Sequence, residues 1–299
     1  MKKAIALDIG GTKIAAALVT EAGEWHHRIE VKSDVTNCET LFEQVVQLVN
    51  QVLSDSATSL NEITGIGVGV PGKVDRINGI AVFQNNIPWK DFPVVSRLKE
   101  RFDVETIVID NDVYMAAYAE WKMAQMSQEE TFVYMTISTG VSCTTIHNGE
   151  FLRGAGFAGE LGLIPVLPES NGSKNQRLEQ VGSGPAIQRL AEKKLGLKEI
   201  TTKEVFEQYS KGVEGYQAII EEVADNLAQG IYAVTSLIDP QKIVFGGSVI
   251  VHNPFLLTSI KEKLNHYLIE EQKSFLERLF ISQLAQDNGI LGAGLSVFK

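Results

Sequence analysis

The sequence predicts an α/β protein with two similar lobes, and three observations lead to this fold class. Short apolar runs alternate with segments whose apolar residues recur at helical spacing, as in sheets covered by helices. The layout of residues 3–30, in which two apolar runs flank a glycine-containing turn, recurs at residues 131–149. A chain of 299 residues with 44% hydrophobic content is also long enough to bury two cores.

The first hairpin carries a candidate phosphate-binding turn. In or beside the turn stand Asp8, Gly10, Gly11, Thr12 and Lys13. Because glycine has no Cβ, backbone N–H groups can gather around a polyphosphate with the hydroxyl and ammonium groups, while the aspartate faces the accompanying metal. An ordinary Gly-Gly hairpin without a ligand explains this turn alone equally well.

The next elements lead to a candidate general base. Helical spacing covers residues 40–54, and strands are predicted at 65–70 and 105–109. The second strand leads into a helix over residues 113–123, at whose start Asp112 lies. Its carboxylate can accept a proton or can cap the helix, and the position alone favours the cap.

A second glycine turn lies in the repeat of the hairpin. Thr139 and Gly140 join strands predicted at 131–137 and 143–146. In two similar lobes that face one cleft, this turn and the first can approach a polyphosphate from opposite sides. Cys143 on the second strand is interpreted as a packed residue rather than a reactive thiol.

A third glycine pair follows a long helix and a buried strand. The helix is predicted over residues 214–238 and the strand over 242–245, directly before Gly246 and Gly247. Ligands of α/β sheets lie beyond the carboxyl ends of strands, where a glycine pair can pack against an adenine or a ribose. A tight connection between strand and helix is the alternative.

Composition excludes several classes of partner. A net charge of -10 opposes general affinity for nucleic acid or anionic membranes, so small molecules are the expected partners. No uninterrupted apolar stretch has transmembrane length, and no secretory signal precedes the first hairpin. With only two cysteines, Cys38 and Cys143, far apart in the chain, we expect a cytoplasmic, reduced protein.

These pieces, in this order, resemble the ROK family (repressors, open reading frames, kinases) of the actin-like sugar-kinase superfamily. The resemblance covers nearly the whole chain, and it is the ordered combination of motifs that is specific. The motifs are 8–13 (DIGGTK), 67–72 (GVGVPG), 86–89 (NIPW), 111–112 (ND), 154–162 with its AGELG core, Glu179 ahead of 183–184 (SG), 245–248 (FGGS) and 288–293 (NGILGA).

The resemblance implies two actin-like (ribonuclease H-like) lobes around a central nucleotide and sugar cleft. The smaller lobe is expected to comprise residues 1–115 plus a returning C-terminal helix at 285–299, and the larger lobe residues 116–284. A homodimer is the expected assembly, since two-fold assemblies are also the commonest.

The resemblance also implies an ATP-dependent sugar kinase that uses Mg²⁺ and phosphorylates the C6 hydroxyl of a hexose or N-acylhexosamine. Asp112 is then the general base. The residues expected to bind the sugar are Gly72, Asn86, Asn111, Glu160 and Glu179. Those expected to bind the nucleotide are Asp8, Gly10, Gly11, Thr12, Lys13, Thr139, Gly140, Gly246 and Gly247.

Two departures from the family pattern affect these expectations. Zinc-containing members carry a histidine where this chain has Leu163, and a cysteine cluster before the second glutamate, whereas residues 164–179 contain no cysteine. We therefore predict that no zinc is bound, because the ligands for a tetrahedral site are missing. In the second glycine turn, Ser142 and Cys143 replace glycines and restrict how closely a terminal phosphate can approach.

Within the family, the stretches 10–18, 112–121 and 136–141 look most like members that phosphorylate N-acetylmannosamine. Glucose, fructose and β-glucoside (cellobiose) kinases are the alternative. A sugar-responsive transcriptional regulator is a second class, which the acidic charge and the absence of a helix-turn-helix segment before the hairpin disfavour. A filament-forming or chaperone-like ATPase is a third, which the sugar motifs disfavour.

Overall fold

The structure is a computed structural model that describes residues 1–155, 157–168 and 174–299. It contains two compact units, of which the first comprises residues 1–125 and 286–299 and the second residues 126–285. The sequence-based boundary at 115/116 falls inside the helix Asp112–Met123, which belongs to the first unit because it packs against the C-terminal helix.

Both units combine strands and helices. The strands are β1 Lys3–Ile9, β2 Lys13–Thr20, β3 Trp25–Lys32, β4 Gly65–Val70, β5 Lys73–Asp75, β6 Ile80–Phe83, β7 Lys90–Phe92, β8 Thr106–Asn111, β9 Phe132–Ile137, β10 Val141–His147, β11 Glu150–Phe151, β12 Pro165–Val166, β13 Gln176–Arg177, β14 Lys242–Gly246 and β15 Leu279–Ile281. The α-helices are α1 Cys38–Asp55, α2 Val94–Arg101, α3 Asp112–Met123, α4 Leu178–Gly182, α5 Gly184–Leu195, α6 Thr202–Ser210, α7 Tyr216–Ile238, α8 Ser248–Val251, α9 Phe255–Tyr267 and α10 Asn288–Ser296. Short 3₁₀ helices cover Leu60–Glu62, Leu161–Leu163 and Glu270–Arg278.

The two main sheets have the same strand order. In the first unit the order is β3-β2-β1-β4-β8, with β1 antiparallel to β2 and parallel to β4. In the second unit it is β11-β10-β9-β14-β15, with β9 antiparallel to β10 and parallel to β14. The internal repeat predicted from the hairpin layout is therefore confirmed at the level of sheet topology.

The C-terminal helix α10 packs closely in the first unit because glycines remove the side chains between the backbones. A Cβ added at Gly67 of β4 would collide with the carbonyl of Ala293, and one at Gly292 would collide with the carbonyl of Met115 in α3. Helix α10 thus fixes α3, whose first residue is Asp112, against the sheet. This packing explains Gly292 of the motif at 288–293 (NGILGA).

A small three-stranded sheet, β5-β6-β7, adjoins the carboxyl end of β4 in the first unit. Trp89, which lies before β7, is 1% exposed and stacks on Phe92 with ring centroids 4.8 Å apart. Its indole N–H donates to the carbonyl of Cys38 at 3.2 Å. These contacts fix the end of the loop that carries Asn86.

None of the helices in the described ranges is both long and apolar enough to cross a lipid bilayer.

Candidate active site

The first glycine turn is held in shape by a residue that the sequence motifs do not include. The Gly10 N–H donates to the carbonyl of Lys13 at 2.9 Å, which closes the turn. The Ser33 hydroxyl donates to the carbonyl of Gly10 at 2.6 Å, and the Ser33 N–H donates to that of Thr12 at 3.0 Å. Ser33 follows β3, so only the pairing of β2 with β3 brings it to the turn. No local pattern in the sequence could have indicated this role.

The Lys13 ammonium, expected among the phosphate contacts, is bound to protein groups. Its Nζ lies 2.9 Å from Glu30 Oε2 and 3.4 Å from Gln286 Oε1. Glu30 also pairs with Arg28, which in turn pairs with Asp287 beside the start of α10. Hydrogen bonds from Lys13 and then Arg28 lower the pKa of Glu30 below its usual 4.5, so this carboxylate stays charged. Binding of a phosphate by Lys13 therefore competes with an existing ion pair.

The same turn contacts the loop that carries a predicted sugar ligand. A Cβ added at Gly11 would lie 2.6 Å from both the Cβ and the carbonyl oxygen of Asn86. Only glycine permits this approach, because real Cβ atoms do not come so close to other heavy atoms. The first unit thus brings Asn86 and the first glycine turn together.

The predicted sugar residues Gly72 and Asn111 are hydrogen-bonded to each other. Asn111 Nδ2 donates to the Gly72 carbonyl at 2.9 Å, and Asn111 Oδ1 accepts from the Val113 N–H at 2.9 Å. Asn111 is therefore the N-cap of α3. Asp112 also accepts from Val113 N–H at 2.9 Å, but the cap position belongs to its neighbour. The alternative that Asp112 serves as the helix cap is thereby weakened.

Asp8 and Asp112 form an interacting pair of acids in the first unit. Desolvation, opposed by the charges of Lys13 and Arg28, raises the pKa of Asp8 from 3.8 to about 6. Desolvation and then the charge of Asp8 raise the pKa of Asp112 from 3.8 to about 7. Asp8 and Asp112 are residues of intermediate exposure in the free protein. A carboxyl group with a pKa near neutrality is suited to accept a proton.

These raised pKa values predict how stability depends on pH. An unfolded aspartate titrates near 3.8, whereas this pair holds its protons to about pH 6 to 7 in the folded state. Between about pH 4 and 7 the native state therefore binds more protons, and stability is lost as the pH rises through that window. We expect Asp112→Asn to flatten this dependence, measured by urea unfolding from pH 4 to 8. If the stability of the wild type and of Asp112→Asn depended on pH in the same way, the interaction of Asp8 with Asp112 would be contradicted.

The second glycine turn is closed by a backbone hydrogen bond and contacts a predicted sugar residue. The Ser138 N–H donates to the carbonyl of Gly140 at 2.9 Å. Glu179 Oε2 accepts from the Val141 N–H at 3.2 Å, and a Cβ added at Gly140 would lie 2.5 Å from that oxygen. Glu179, at the start of α4, is thus tied to the turn that carries Thr139.

The loop that carries Glu160 packs on β10. The Cys143 N–H donates to the carbonyl of Gly159 at 2.8 Å, and a Cβ added at Gly162 would lie 3.0 Å from the Cβ of Glu179. The second unit therefore brings the segments of Glu160 and Glu179 together. Burial, and then the charge of Glu160, raises the pKa of Cys143 to about 12, which makes it an inert packed residue, as predicted.

A cavity of about 940 Å³ lies in the second unit next to the third glycine pair. Ser138 and Thr139 line one part of it, and Ser248 and Val249, directly after Gly247, line another. Its lining also includes Pro185, Gln188, Thr202, Lys203, Phe206 and His252. Gly247 has φ +86°, and a Cβ there would collide with the carbonyl of Ile137. The cavity has the size and the mixture of apolar and polar groups typical of a small-molecule site.

The described ranges contain no cluster of three or more histidine, cysteine, aspartate or glutamate side chains able to hold a metal ion. Residues 156 and 169–173, which include part of the segment 164–179 whose lack of cysteine predicts that no zinc is bound, lie outside the described ranges. The prediction that no zinc is bound stays a prediction.

The repeated strand order and the glycine turns are those of the actin-like fold class. Within that class the chain belongs to the ROK family, which it matches over residues 4–298. The family membership predicted from the ordered motifs is confirmed.

Relatives in this family are named as kinases for more than one sugar. The chain is 30% identical to the glucokinase of Halalkalibacterium halodurans, over 97% of this chain and 93% of that protein. It is also 30% identical to the N-acetylmannosamine kinase of Haemophilus influenzae, over 97% and 94%. The crystal structure of a ROK family glucokinase from Streptomyces griseus in complex with glucose and AMPPNP is 25% identical, with a TM-score of 0.76 over 97% of both chains.

Proposed function

We propose that this protein is an ATP-dependent sugar kinase that transfers phosphate to the C6 hydroxyl of a hexose or N-acylhexosamine, with N-acetylmannosamine as the substrate. The observation that carries the proposal is the carboxyl group of Asp112. It begins α3 beside Asn111, and its pKa is raised to about 7.

Asp112 accepts the proton of the sugar hydroxyl as that oxygen attacks the terminal phosphorus of ATP. A base whose pKa lies near the operating pH combines a deprotonated ground state with a strong tendency to take the proton. The remaining work of phosphoryl transfer is positioning and charge stabilisation, which needs no covalent step on the protein. Asn111 and the Gly72 carbonyl, which are hydrogen-bonded to each other, supply a donor and an acceptor for the sugar hydroxyls, and the exposed Asn86 supplies others.

The 940 Å³ cavity of the second unit holds the nucleoside part of ATP, and the Thr139–Gly140 turn, whose Thr139 lines that cavity, binds phosphate through backbone N–H groups. A relative crystallised with AMPPNP supports this assignment. Asp8 fits an Mg²⁺ ion, because its carboxylate is desolvated and lies near a second acid. Mg²⁺ uses one or two carboxylates together with phosphate oxygens, and it neutralises phosphate charge.

The choice of N-acetylmannosamine rests on the stretches 10–18, 112–121 and 136–141, which look most like family members that phosphorylate this sugar, and on Leu163. Leu163 is 45% exposed, and its backbone N–H donates to the carbonyl of Glu160. An apolar residue at this position suits the methyl group of an acetamido substituent better than a hydroxyl. Glucose, fructose and cellobiose are the alternatives, and relatives named for glucose and for N-acetylmannosamine are equally identical to this chain.

Coupled ADP release with N-acetylmannosamine, glucose, fructose and cellobiose tests the function. We expect the highest kcat/KM with N-acetylmannosamine. A higher value with another sugar would correct the substrate alone. If no ADP is released with any of the sugars, the kinase is rejected and a sugar-responsive regulator is favoured. If ADP is released at the same rate with and without sugar, another ATPase class is favoured.

We also propose a cytoplasmic homodimer without zinc. Light scattering on the purified protein tests the dimer, and metal analysis tests the absence of zinc. One zinc ion per chain would contradict our interpretation of residues 164–179.

A further inference from the structure

Gln84 is a buried polar side chain with an unsatisfied acceptor next to a predicted sugar residue. It is 7% exposed, and its Oε1 has no hydrogen-bond partner. Its Nε2 donates to the carbonyl of Lys73 at 3.3 Å. A buried acceptor without a donor costs stability, so the free protein gains nothing from that oxygen.

The oxygen of Gln84 lies against Gly72. A Cβ added at Gly72 would collide with the carbonyl oxygen of Phe83 and would be 2.6 Å from Gln84 Oε1, so the Phe83 carbonyl and the glutamine amide together occupy the space that a side chain at position 72 would need. Gly72 has φ +74°, a conformation that favours glycine, and its carbonyl accepts from Asn111 Nδ2. Gln84 therefore binds the carbonyl of Lys73, and its amide oxygen lies beside Gly72, the residue that precedes Lys73 in this turn.

The strand pairing around Gln84 is irregular. Lys73 pairs with Phe83, but Val74 pairs with Ala81, so the β5–β6 pairing shifts by one residue directly before Gln84. Such irregularities weaken the backbone ladder and often lie beside functional sites. The Gln84 side chain therefore supports the turn at residues 72–73, where the β5–β6 pairing is irregular and supports it less.

We propose that Gln84 is a positioning residue for the sugar: it holds residues 72–73 so that the Gly72 carbonyl and Asn111 are in place before the sugar binds. This inference rests on the proposed kinase function. A preformed site binds more tightly because its ordering cost is met in the free protein. The unsatisfied Gln84 oxygen then lowers the stability of the free protein, and tighter binding of the sugar offsets this cost.

Gln84→Met separates the effect on sugar binding from the effect on stability, because methionine has nearly the same length and volume but cannot donate a hydrogen bond to the Lys73 carbonyl. We expect the sugar Kd and KM to rise about fivefold to tenfold, the size associated with one hydrogen bond. The kcat stays within about twofold, since Asp112 is untouched, and the Tm of the free protein does not fall. Calorimetric titration of sugar without ATP, steady-state kinetics and thermal unfolding measure the three quantities.

Gln44→Met is the matched control. The Gln44 amide is satisfied, because its Oε1 accepts from the Asp34 N–H at 2.7 Å and its Nε2 donates to the Lys32 carbonyl at 3.2 Å. We expect this variant to lose stability and to keep its sugar affinity, the opposite of Gln84→Met.

Unchanged sugar affinity in Gln84→Met, or a fall in its Tm with kcat and KM both altered, would overturn the positioning role. Gln84→Leu gives the same comparison if the methionine variant does not fold. A wild-type protein that phosphorylates no sugar would reject the proposed function instead, so the two failures are distinguishable.

Discussion

Asp112→Asn is expected to lower kcat by about 10² to 10⁴, the usual contribution of a general base, while sugar affinity changes by less than about threefold. Asparagine has the shape of aspartate, and its Oδ1 can still accept from the Val113 N–H, as Asp112 does at 2.9 Å. It cannot take a proton from the sugar hydroxyl. Steady-state ADP release at saturating substrates measures kcat, and titration of sugar without ATP measures affinity.

Asp110→Asn is the matched control for this variant. Asp110 precedes the same helix, is 8% exposed, and its Oδ1 accepts from the Asn111 N–H at 2.9 Å. We expect its kcat to stay within about tenfold of the wild type, because Asp110 has no place in the proposed proton transfer. Full activity in Asp112→Asn, or equal losses in the two variants, would refute the base assignment.

Local patterns in the sequence predicted the strands and helices that position the candidate site. The spacing of apolar residues predicted a strand at 65–70, which is β4, and a helix over 113–123, which is α3 extended by Asp112. The hairpin repeat predicted two related sheets, and their common strand order confirms it. These features depend on residues close together in the chain, so a single sequence is sufficient to predict them.

Contacts between distant segments could not be predicted in the same way. Ser33 reaches the first glycine turn through strand pairing, and Glu30 binds Lys13 across two strands. Gln84 lies two residues from a recognised motif, but only the folded turn shows that its acceptor has no donor. The pKa of Asp112 likewise depends on burial and on Asp8, more than 100 residues away in the sequence. Motif positions therefore indicate candidate residues, and the fold determines the environment that sets their pKa values.

Gly67→Ala is expected to destabilise the first unit by about 3 kcal/mol or more, the range of severe overpacking. The added Cβ would collide with the carbonyl of Ala293 in α10. Both groups belong to backbones held in regular structure, so neither a rotamer change nor a small shift can relieve the clash. The three tryptophans of the chain, Trp25, Trp89 and Trp121, all lie in this unit, and their fluorescence during urea unfolding therefore reports on it.

Gly69→Ala, two residues along the same strand, distinguishes a packing clash from the general effect of replacing a strand glycine. The nearest atoms to a Cβ there lie at 3.5 Å or more, which is ordinary contact, so we expect a change within about 1 kcal/mol. Helix α10 also lies against Asp8, because a Cβ added at Gly289 of α10 would be 2.9 Å from the Asp8 carboxylate. If α10 fixes both α3 and Asp8, we expect the Gly67→Ala variant to lose activity at urea concentrations where the wild type is still folded. Equal unfolding midpoints for the two variants would show that the glycine contacts do not hold this helix in place.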